Sequence, residues 1–61
     1  MSKAKAMSII KKNNFTHMQS WDLLVEEFGA VPFYDATTST EDFRLSNGEV
    51  ISINMQTKEV S

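Results

Sequence analysis

The sequence predicts an α+β fold in which two N-terminal helices pack on one face of a small antiparallel β-sheet of two to four strands. Three observations carry this expectation. Apolar residues recur at helical spacing as far as Phe28. Asn47-Gly48, a strong turn signal, lies between two stretches in which apolar and polar residues alternate. The chain has 61 residues, which makes a single domain, residues 1–61.

A domain of this size buries only roughly 60% of the surface that its unfolded chain exposes. Small natural domains offset this with disulfides, a metal or a partner subunit. There is no cysteine. His17 is the only histidine and has no paired ligand beside it, so neither a zinc site nor any other cofactor is expected. Association with another protein, or with itself as a homodimer, is the remaining device.

Ser2 to Lys12 reads as the first helix. Ala4, Ala6, Met7, Ile9, Ile10 and the lysines are mostly good helix formers. Asn13-Asn14 ends it, because asparagine tolerates the left-handed conformation of a helix C-cap. Thr16-His17-Met18-Gln19 has the pattern of a capping box. The second helix then runs from His17 to about Phe28, with Gly29 as its cap. A rival reading makes residues 14–18 a short strand and starts the helix at Ser20. At about 100° per residue, Met18, Trp21, Leu24, Val25 and Phe28 fall within an arc of roughly 120°, the expected core stripe. Leu23 lies nearly opposite, among Gln19, Glu26 and Glu27.

Pro32 forbids further helix and biases Val31 toward extended geometry. Phe33 and Tyr34 favour a strand, with Pro32 at an edge or a strand start. Residues 37–40, Thr-Thr-Ser-Thr, form a polar connection, where a further helix cap is conceivable. Glu41 to Ser46 alternates and reads as a strand. A two-residue Asn47-Gly48 loop would put Phe43 and Leu45 on one face and Ile51, Ile53 and Met55 on the other. A three-residue loop, Ser46-Asn47-Gly48, removes the conflict. It pairs Leu45 with Glu49 and Phe43 with Ile51, and Gly48 takes the left-handed position of a G1 bulge. Val50, Ser52, Asn54 and Arg44 then form a polar face, as in a sheet covered on one side only. After Met55 the chain either frays or adds a last short strand at Val60. The expected core is Met7, Ile10, Phe15, Met18, Trp21, Leu24, Val25, Phe28, Phe33, Phe43, Leu45, Ile51, Ile53 and Met55.

The chemistry is sparse. No pair of carboxylates has a spacing that specifies catalysis, the hydroxyls of residues 37–40 lack a nearby base, and no glycine-rich phosphate loop exists. His17 is expected to be exposed at a helix start. No enzyme is expected, and no catalytic or metal-binding residue is assigned. No secretory signal or membrane span is visible, so a cytoplasmic protein without membrane contacts is the default. Asn14-Phe15-Thr16 matches a glycosylation sequon, read here as chance.

Charge is the remaining signal. The net charge is −2, but residues 1–14 hold four lysines and no acid, net +4, while residues 15–61 hold Arg44 and Lys58 against eight acids, net −6. The expected function is a small non-catalytic binding module acting through protein–protein contacts. Size, rather than any motif, suggests that it regulates or inhibits a larger macromolecule. It would self-associate through an edge strand, or bind a partner through Asp22, Leu23, Glu26 and Glu27 of the acidic helix. The alternative is a nucleic-acid-binding accessory protein using Lys3, Lys5, Lys11 and Lys12. A helix-turn-helix over residues 4–28 is disfavoured, because its reading helix would carry Asp22, Glu26 and Glu27 toward a negative groove. A structural subunit of a larger assembly is a third reading.

Overall fold

The computed structural model describes residues 2–61. It has the expected α+β architecture: two helices, then a three-stranded antiparallel sheet in the order β1-β2-β3. Helix α1 spans Lys3–Asn13 and α2 spans His17–Asp22. The strands are β1, Val31–Asp35; β2, Thr40–Arg44; and β3, Val50–Asn54.

Side chains and left-handed residues define the helix ends. The Ser2 hydroxyl accepts the Lys5 N–H at the start of α1, and Asn14 closes it with a φ of 52°. Thr16 and Gln19 form the complete capping box of α2. The Gln19 N–H donates to the Thr16 hydroxyl at 3.2 Å, and the Thr16 N–H donates to the Gln19 side-chain oxygen at 3.0 Å. Residues 15–18 therefore lead into and begin a helix, not a strand.

Beyond Asp22 the helix continues as a π-helical turn, Leu23–Glu27, in which the Phe28 N–H reaches back five residues to the Leu23 carbonyl. Gly29, at a φ of 64°, turns the chain out, and the Ala30 N–H bonds the Leu24 carbonyl at 2.8 Å.

This second helix is rotated relative to the predicted stripe. Ser20, Leu24 and Phe28 are buried and His17 is half-buried, whereas Met18 is 68% exposed. Two features account for the rotation. His17 Nε2 is 3.0 Å from Glu41 Oε1 on β2, which turns the His17 side of the helix toward the sheet. The π turn also aligns residues five apart, which in an α-helix lie about 140° apart. Leu23 thereby comes round toward Phe28 and is half-buried against the core rather than opposite it.

The β2–β3 register is the three-residue-loop solution. Phe43 pairs with Ile51 and Arg44 with Val50, the Leu45 N–H donates to the Glu49 carbonyl at 2.8 Å, and Gly48 has a φ of 90°. Phe43, Leu45, Ile51 and Ile53 are all buried on one face, where they meet Ala6 and Ile10 of α1, Leu24 and Phe28 of the second helical segment, and Ala30. Met7, Phe15, Trp21 and Val25 pack half-buried around this core, and Met55 is half-buried just beyond β3. Phe33 is not in the core. It pairs with Asp42, which puts it on the uncovered face, where it is 42% exposed.

Residues 36–39 form a hairpin turn, not a helix start. The Asp35 carboxylate accepts both the backbone N–H and the hydroxyl of Thr37, and Ser39 has a φ of 56°. After β3, the Asn54 side-chain oxygen accepts the N–H groups of Gln56 and Thr57 and reverses the chain. Val60 then bridges Ile53, and Ser52 and Ser61 exchange two backbone hydrogen bonds. The end of the chain thus covers the β3 edge. Among the described residues only β1 remains an edge strand, and Pro32 sits within it. Because Leu45 bonds toward β3, the alternation of an antiparallel ladder turns Thr40, Asp42 and Arg44 toward β1. Pro32, opposite Phe43, therefore points its nitrogen away from the sheet and offers no donor there.

Replacing the fully buried Phe43 by alanine should cost about 3–5 kcal/mol, against a total of about 3–9 kcal/mol for 61 residues. Met18→Ala should change stability by less than about 0.5 kcal/mol. Urea unfolding followed by circular dichroism measures both. A cost above about 2 kcal/mol for Met18→Ala contradicts the observed rotation of the helix.

Candidate partner-binding groove

The π turn that brings Leu23 inward also shapes the surface beside it. Phe15, from the segment joining the helices, and Leu23 form the apolar part of a shallow groove of about 310 Å³, completed by Gln19, Asp22, Glu26 and Glu27. The four residues singled out in the sequence thus lie together. Asp22, Glu26 and Glu27 are exposed, and Leu23 is half-buried. Phe15 and Gln19 were not anticipated there. Phe15 reaches the groove because the three-residue link between the helices, residues 14–16, is too short to carry it away from the second one, and Gln19 lies on that helix one turn before Leu23.

The lysines are carried by α1. Lys5, Lys11 and Lys12 are exposed and Lys3 is half-buried. Among the described residues no lysine or arginine forms an ion pair with a carboxylate, so neither these ammonium groups nor the groove carboxylates are matched internally. The basic segment meets the acidic part of the chain through its backbone instead. The Lys3 N–H donates to Glu49 Oε1 at 3.1 Å, and the Asn47 side-chain amide donates to the same oxygen at 2.6 Å. Glu49 therefore sits at the positive end of α1 and ties it to the hairpin loop. The Lys3 N–H, then the Asn47 amide, hold its carboxyl below the usual glutamate range. The hydroxyl and N–H of Thr37 likewise lower the Asp35 carboxyl.

A second hollow, of about 390 Å³, opens between the helix link and the chain end, lined by Asn14, Phe15, Thr16, His17, Ser20, Ile53, Lys58 and Val60. His17, expected to be exposed, is instead half-buried and held by Glu41, because the capping box starts the helix directly over β2. No group of three or more metal-ligating side chains gathers among the described residues. No helix among them is long and apolar enough to cross a membrane.

No protein-family model matches this chain, and neither a curated protein nor a solved structure matches it.

The Glu49 contact gives a pH dependence of definite sign. Its folded carboxyl titrates below the ordinary value of 4.5. The contact therefore contributes fully above that ordinary value and is lost as pH falls through the lower folded one. Thermal melts across the acid range should show Glu49→Gln with a shallower acid decline than the unsubstituted protein. Identical declines contradict the assignment.

Proposed function

We propose that this chain is a small non-catalytic binding module that acts through protein contacts and takes a basic partner segment at the Phe15–Leu23 groove. The observation that carries this reading is the coincidence of two half-buried apolar side chains with three unmatched, exposed carboxylates around one depression. The matching chemistry is an apolar anchor flanked by lysine or arginine. The anchor displaces water from Phe15 and Leu23, while the flanking cations meet Asp22, Glu26 and Glu27 at the rim. The rim charges govern encounter rate and salt dependence more than affinity. Regulation or inhibition of a larger macromolecule is the role such a module would serve.

The second reading is nucleic-acid binding by α1, supported by the exposed and unpaired Lys5, Lys11 and Lys12. No arginine or aromatic side chain accompanies them on that helix, so it ranks below the first. The cytoplasm is the compartment proposed for either.

Nuclear magnetic resonance titration separates the two. A peptide with one leucine between lysine pairs should shift the amides of Gln19, Leu23, Glu26 and Glu27, and Glu26→Lys with Glu27→Lys should weaken its binding at least about tenfold. A short DNA duplex should give only weak, salt-sensitive shifts on α1, abolished by Lys11→Glu with Lys12→Glu. Tight duplex binding with no peptide response at the groove would reverse the ranking.

A further inference from the structure

The uncovered face of the sheet carries a set of residues that the helices do not use. Alternation and register put three rows on it: Val31, Arg44 and Val50; Phe33, Asp42 and Ser52; Asp35, Thr40 and Asn54. Val31 is 63% exposed and Phe33 is 42% exposed, so the face is apolar at β1. On β2, the Arg44 guanidinium lies 5.9 Å from the Phe33 ring centroid. Beside it, Asp42 Oδ1 is sealed from solvent and has no hydrogen-bond partner. One face thus holds an exposed cation and a half-buried carboxylate, neither of them in an ion pair, two residues apart on the central strand.

We propose that this face is the interface of a homodimer in which two sheets stack face to face, with Arg44 of each copy bonding Asp42 of the other. The symmetry follows from the charges. A two-fold axis between the sheets, crossing the strands midway between the rows of Arg44 and Asp42, sets β2 antiparallel on β2. Arg44 then lies over Asp42 of the second copy, and the reverse. The same operation puts Val31 over Phe33 and Phe33 over Val31, joining apolar groups on β1. The other two-fold between the sheets, parallel to the strands, sets Asp42 against Asp42 and Arg44 against Arg44, and like charges exclude it. Stacked sheets lie about 10 Å apart, a gap that an extended arginine and an aspartate together span. Such an interface is isologous and closed.

The edges are poorer routes to a dimer. The chain end covers β3, and Pro32 removes a donor from β1. The face is also small, so dissociation is expected in the micromolar range rather than below it.

Sedimentation equilibrium on the full chain tests this with charge reversal. The unsubstituted protein should show a monomer–dimer equilibrium. Asp42→Arg alone and Arg44→Asp alone should each weaken it at least about tenfold. An equimolar mixture of the two variants should regain dimer, because one copy then offers two arginines to two aspartates. Recovery on mixing also shows that both variants are folded. A monomer at every concentration up to millimolar overturns the proposal. So does a dimer indifferent to both reversals, which would indicate edge pairing, or a mixture that stays monomeric although both variants keep the native circular dichroism spectrum.

Discussion

The register between β2 and β3 is the constraint on which the rest of the structure depends. A strand presents alternate residues to opposite faces, so a slip of one residue would send Phe43 and Leu45 away from Ile51 and Ile53. No core large enough for 61 residues would then form under the helices. The Ser46-Asn47-Gly48 loop prevents the slip, because Gly48 accepts a left-handed backbone and adds the extra residue. Glu49 reinforces it from the side by receiving the first N–H of α1, so that the loop and the helix start fix each other.

With the register set, the two faces of the sheet take different work. One is filled by Ala6, Ile10, Leu24 and Phe28, and its packing holds the helices in place. The small side chains of Ala6 and Ser20 are buried where the helices meet the rest of the chain, leaving the larger apolar groups to interlock around them. The other face keeps Val31, Phe33 and Arg44 toward solvent, with Asp42 half-buried among them. The acidic groove arises from the same packing at the outer flank of the second helix, where Leu23 is turned half inward beside Phe15. The groove is built from the helix link and the second helical segment and the open face from the strands, so the two share no residue.

Local signals in the sequence were sufficient for the elements and for the hairpin. Thr16 with Gln19, Asn14, Gly29 and Gly48 each act through a few neighbouring backbone groups, and each is found in the role its residue type predicts. The rotation of the second helix was not legible. It depends on a contact between His17 and Glu41, 24 residues apart, and on a π turn that a fixed period of 3.6 does not describe. Phe33 was misplaced because Val31, Pro32, Phe33 and Tyr34 have no alternation from which to read a face. Asp22, Leu23, Glu26 and Glu27 were legible as an odd cluster, but the groove also needs Phe15, which only the short link between the helices brings there. The unmatched Asp42 oxygen leaves no trace in sequence, since it follows from what its neighbours fail to donate.

The most direct test of the register is a set of contacts between α-protons across β2 and β3, measured by nuclear Overhauser spectroscopy. Residues facing each other at non-hydrogen-bonded positions bring their α-carbons to about 4.5 Å. The observed pairing predicts strong contacts between Arg44 and Val50 and between Asp42 and Ser52. A strong contact between Leu45 and Val50 would mean a two-residue loop. It would contradict the assignment of core, groove and open face together.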